Sequence, residues 1–150
     1  MTKRIKIGDI IQILTSKGVC YAQVTHKHSR YGHLLRVFDG FRADRPKNIG
    51  EVVTSPVLFS AFFPVPKAVG EGLVANVGNS SVTDENSVFP IFRTSARDRD
   101  GRRGPWWLWK MMLTRGLSDE EMRYPVRGII SAPLLVERIE KGYRAETHDL

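Results

Sequence analysis

The chain has 150 residues, 41% hydrophobic and 26% charged, with 23 Lys and Arg against 16 Asp and Glu and a formal net charge of +7. Folding at this length buries roughly two-thirds of the surface an unfolded chain exposes, so a single domain spanning 1–150 with its own core is expected. The lone cysteine, Cys20, excludes an intramolecular disulfide framework and fits a reducing compartment, its expected place being a strand interior.

The opening Met1-Thr-Lys-Arg-Ile-Lys6 leads into an apolar run broken by Asp9 and Gln12, too short for a signal-peptide core or a membrane span. A cytoplasmic protein with no membrane partner is expected. Residues 8 to 14 and 19 to 26, rich in Ile, Val, Tyr and Thr, flank Thr15-Ser-Lys-Gly18. Glycine there can take the positive φ of a tight loop, so the two runs predict a β-hairpin. A third strand is expected over 33 to 38, before the turn residues Asp39-Gly40, Arg45-Pro46, Gly50 and Ser55-Pro56. A fourth follows over 57 to 63, its Phe59, Phe62 and Phe63 reading as core and Pro64 and Pro66 ending it.

Shorter strands are expected over 73 to 77, 89 to 93, 106 to 110 and 134 to 139. The polar connection 79 to 87 and the mixed-charge connection 94 to 105 read as exposed, mobile loops. In the second, Asp98 and Asp100 alternate with Arg97 and Arg99 and cancel part of their field. Trp106-Trp107-Leu108-Trp109 would make both faces of its strand apolar, and at least one must be covered. One short helix has a start signal at Ser118-Asp-Glu-Glu121, a capping box, and a stop at Tyr124-Pro125. The pattern predicts a mainly β fold, an antiparallel sheet or small, partly open β-barrel with one short helix.

His26 and His28 share one face of a strand, and a chain reversal over 27 to 32 would bring His33 near them on the next strand. They are the chain's only metal candidates, and no local Cys or His closes the set, so no metal is expected. Cys20 and His26 lie about 20 Å apart along an extended strand, too far for a nucleophile–base pair, and nothing local brings His33 or His148 to the thiol. The chain lacks Gly-x-Ser-x-Gly, Gly-x-x-x-x-Gly-Lys and Gly-x-Gly-x-x-Gly. Neither catalytic residues nor a cofactor are expected, and the chain reads as a binding protein.

Residues 1–50 carry ten Lys or Arg against three Asp, residues 51–92 one against four acids, and residues 93–150 twelve against nine. The first third holds an excess equal to the whole net charge, a distribution that steers an acidic partner. Ten basic residues from Lys3 to Lys47 interleave with Tyr21, Tyr31, Phe38 and Phe41. One reading is therefore a nucleic-acid-binding small β-barrel.

Ile7-Gly-Asp-Ile10, Gly18, Tyr21-Ala-Gln-Val24, His26-Lys-His28, Tyr31-Gly-His-Leu34, Arg36-Val-Phe-Asp39 and Phe59-Ser-Ala-Phe-Phe-Pro-Val65 resemble the immunity protein 26 family of bacterial competition systems. The resemblance implies a small, cytoplasmic, β-rich toxin inhibitor, working stoichiometrically on a cognate protein toxin without cofactor or turnover. Such inhibition needs an anchor cluster within a polar rim. Tyr31, Arg36, Asp39 and Phe41, near turns of the basic third, are the expected partner-binding residues, with Trp106 as a second anchor.

Overall fold

The computed structural model describes residues 4–97, 99–102, 104, 106–109 and 117–145. Lys3, Asp98 and His148, singled out above, and the last position of the strand expected over 106 to 110 lie outside them. The chain divides into two compact units, one of Met1–Phe89 with Gly128–Tyr143 and the other of Pro90–Arg127 with Arg144–Leu150.

The fold is mainly β. In the larger unit β1 (Asp9–Thr15), β2 (Gly18–His28), β3 (Gly32–Phe38) and β4 (Val57–Phe62) form an antiparallel meander. The first turn is the expected hairpin, with Thr15 opposite Gly18 and Gly18 at φ +134°. From β4 the chain passes through helix α1 (Val65–Gly70) to β5 (Ala75–Asn79), which joins the opposite edge beside β1. The sheet order is β4-β3-β2-β1-β5, and its two end strands do not pair with each other. A sheet, not a closed barrel, is thus the outcome.

Both faces of this sheet are covered. On one, Ile11, Ile13, Cys20, Ala22, Val24, Leu35, Val37 and Ala61 pack with Val65 and Ala68 of α1 and with Leu135 and Ile139 of helix α3 (Ala132–Glu140). On the other, Ile10, Tyr21 and Phe38 pack with Val52 of a 3₁₀ turn over Ile49–Thr54. Two-sided cover is why Ile10 and Ile11 are both fully buried, where a half-solvated strand would alternate. Each such side chain contributes about 1.5–3 kcal/mol.

Helix α3 corrects the strand expected over 134 to 139. The Leu-Leu-Val run suggested a strand, but Leu135 and Ile139 stand four apart on one buried helical stripe. Ser131 caps the helix by accepting from the Leu134 N–H at 3.3 Å, and Pro133 occupies its first turn. The connection over 79 to 87 is also more ordered than expected. Asp84–Ser87 form a helical turn, α2, capped by Thr83, and Asn86 is buried.

In the smaller unit the expected strands shrink to β6 (Arg93–Thr94) and β7 (Trp107–Leu108), which pair with each other. The Arg93 side chain is buried, donating to Tyr124 O at 3.1 Å and Ala145 O at 2.6 Å, with its guanidinium 4.1 Å from the Trp106 ring centre. The capping box forms as expected, Ser118 N–H to Glu121 Oε1 and Glu121 N–H to Ser118 Oγ, ahead of one 3₁₀ turn over Glu121–Arg123.

Candidate functional site

Among the described residues β5 pairs only with β1, so its outer side is an open sheet edge. The β4 edge is different: Phe62 bridges Ile129, and the Ile130 N–H donates to Phe62 O at 3.0 Å. Beside β5 lies a groove of about 1120 Å³, lined by Arg4, Lys6, Ile7, Asp9, Gln12, Leu14, Arg45, Leu73 and the strand itself. Ile7 is 50%, Leu73 53% and Leu14 65% exposed, and Arg4, Lys6 and Arg45 are exposed around them.

One carboxylate fixes this edge. Asp9, at the start of β1, is buried, and its oxygens accept from the Lys6 N–H at 2.8 Å and from the side-chain amides of Asn76 and Asn79, each at 2.9 Å. Asp9 thereby ties the N-terminal segment and β5 to β1. Gly8 has φ +95°, and a Cβ there would lie 2.6 Å from Ser80 O, so only glycine lets the two segments approach this closely. Nothing local in the sequence singled out this groove, because a crossover from the far edge of the sheet creates it.

The residues expected to bind a partner do not converge. Tyr31 and Arg36 lie over one face, Tyr31 half-buried and stacked on Phe62 at 5.3 Å between ring centres. Arg36 donates to Ser60 Oγ at 3.2 Å and Val88 O at 2.7 Å, and its burial lowers its pKa, with Glu85 opposing. Asp39 and Phe41 lie past the opposite end of β3, Asp39 about 26 Å from Tyr31 and about 10 Å from Arg36 at strand spacing. Both are exposed and line a cleft of about 240 Å³ with Lys17, Cys20 and Lys141. Trp106 lies in the other unit and is buried, so the exposure expected of it is not found.

The imidazoles separate as well. Thr25 is an extra residue in β2, a bulge between the pairs Val24 with Leu35 and His26 with Leu34. Past it, His26 and His28 share one face, as expected, but His33 pairs with Lys27 and takes the other. The three rings therefore do not meet, and no cluster of three or more His, Cys, Asp or Glu able to hold a metal occurs among the described residues. His26 Nε2 donates to Ser87 O at 2.8 Å, which fixes its tautomer and leaves Nδ1 to accept from Thr25 Oγ1 at 3.0 Å. The ring pins the α2 segment to the sheet. His33 is buried, and its pKa is held below the ordinary 6.5 by burial and then by Lys27, with Asp9 opposing.

The Cys20 thiol donates to Phe38 O at 3.4 Å, and its pKa is pushed up to about 11, chiefly by burial. It stays protonated at neutral pH, the inert form of the group.

Among the described residues no helix is long and apolar enough to cross a membrane. Among the described residues the larger unit is thus a mainly β platform, packed on both faces and with its β5 edge unpaired. Comparison with protein-family models, curated proteins and solved structures returns no match.

Proposed function

We propose that the chain is an immunity-type binding protein of the cytoplasm, which occupies a cognate bacterial protein toxin stoichiometrically and neutralises it without cofactor or turnover. The observation that carries this reading is the groove beside β5, where Arg4, Lys6 and Arg45 surround exposed Ile7, Leu14 and Leu73. Apolar anchors inside a charged rim, on a sheet packed on both faces, suit recognition of a protein surface. The cationic rim speeds encounter with an acidic partner. The segments that resemble immunity protein 26 lie on and beside β1 to β4 of this same unit.

Nucleic-acid binding is the second reading, favoured by the same cations. Of the aromatic rings interleaved with the basic residues, however, Tyr21 and Phe38 are each only 2% exposed, which removes them as stacking platforms for bases. Co-expression with the product of the neighbouring gene, followed by gel filtration, tests the choice. An equimolar complex and rescue of growth are expected, with His26→Ala and Cys20→Ala still protecting. Tight binding of generic single-stranded DNA at physiological salt, with a steep salt dependence, would overturn the protein-binding reading.

A further inference from the structure

We infer that the β5 edge accepts an extended, acidic segment of the partner as a sixth strand of the sheet. This inference rests on the binding reading above and names the recognised chemistry. A strand edge presents a row of backbone donors and acceptors, and proteins normally blunt it with charge, proline or a covering element. β5, Ala75-Asn-Val-Gly-Asn79, carries neither charge nor proline, and Ala75 and Asn79 are exposed. Its one bulge, at Val77, arises in the pairing with β1. Its five residues span about 17 Å, room for the short ladder by which an added strand gains affinity from main-chain bonds.

The chemistry of the occupant follows from the groove. Arg4, Lys6 and Arg45 supply three cations. Among the described residues of the lining the only carboxylate, Asp9, is 5% exposed, and the Lys6 N–H, Asn76 and Asn79 already engage it. The groove is thus cationic toward a ligand, with Ile7, Leu14 and Leu73 to receive apolar side chains. An extended segment alternating Asp or Glu with aliphatic residues matches both features, since successive side chains of a strand point to opposite faces.

The test is amide hydrogen exchange on the full chain, alone and with a short acetylated peptide alternating Val with Glu, beside its Lys-for-Glu counterpart. Slowed exchange confined to Ala75–Asn79 with the acidic peptide only is expected. The triple variant Arg4→Glu/Lys6→Glu/Arg45→Glu, which leaves the backbone intact, should weaken that binding roughly tenfold or more. Equal protection by both peptides, protection elsewhere, a dimer of the chain through this edge, or displacement of the peptide by single-stranded DNA would overturn the inference. A toxin neutralised equally well by the triple variant would overturn this edge as its site and leave the immunity reading standing. Acidic-peptide binding at β5 without toxin neutralisation would do the reverse.

Discussion

Replacing Asp9 by Ala should loosen β5 from the sheet and lower stability by about 3 kcal/mol. The carboxylate accepts three hydrogen bonds, from Lys6 N–H at 2.8 Å and from Asn76 and Asn79 at 2.9 Å each. A bond to a charged acceptor is worth about 1.5–3 kcal/mol net, and a donor left reachable by water recovers most of its loss. Asn79 is exposed and also donates to Ile7 O, so its share is taken as near zero, while Lys6 N–H and Asn76 contribute about 1.5 kcal/mol each. With a urea m-value of about 1.5 kcal/mol/M, the midpoint should fall by about 2 M at unchanged m. Amide exchange should quicken first in Ala75–Asn79 and in the segment before β1. A midpoint shift below about 0.3 M, or faster exchange spread evenly over β1 to β4, would refute the idea that this carboxylate holds the edge.

Stability should also depend on pH through His33. Its folded pKa lies below the ordinary 6.5, so between those values the unfolded chain binds the extra proton. Stability is therefore full above pH 6.5 and declines as pH falls through that window; His33→Gln should flatten the decline between urea midpoints at pH 7.5 and 5.5, and equal slopes would count against it. Cys20, with its pKa near 11, should resist an aromatic disulfide reagent at pH 8 until urea unfolds the chain, and fast labelling of the native protein would contradict its burial. Arg93→Ala strands the buried Ala145 carbonyl and the half-buried Tyr124 carbonyl and should cost about 3 kcal/mol, seen as new protease cleavage within 90–127 while β1 to β5 stay protected.

Local chemistry made the meander legible. Ile, Val and Tyr runs broken by Thr15-Ser-Lys-Gly18 and Asp39-Gly40 fixed strands within a residue or two of β1, β2 and β3. The capping box at Ser118 and Glu121 was equally readable, since both partners lie three residues apart. Helix α3 is ambiguous in sequence because branched and γ-branched apolar residues suit both periods, and the signals that decide for a helix are Ser131 at its cap and Pro133 in its first turn. The bulge that turns His33 away from His26 left no mark in composition. The groove depends on β5 lying beside β1, a pairing across more than sixty residues set by the path through α1. Its cations belonged to the visible basic third, but Leu14 beside buried Ile13 became informative only once the sheet had two covered faces.

The extra residue at Thr25 acts as a phase shifter for the β2–β3 tip. Removing it would exchange what residues 26 to 28 show to water with what they hide, whereas inserting two residues beyond it would lengthen the tip and keep the sense of every side chain. The body of the hairpin, from Cys20 to Val24, would keep its orientation either way. Sequence drift in this tip is therefore free in even steps and punished in odd ones, which leaves length variation a usable lever on the rings around His28 without touching the platform beneath.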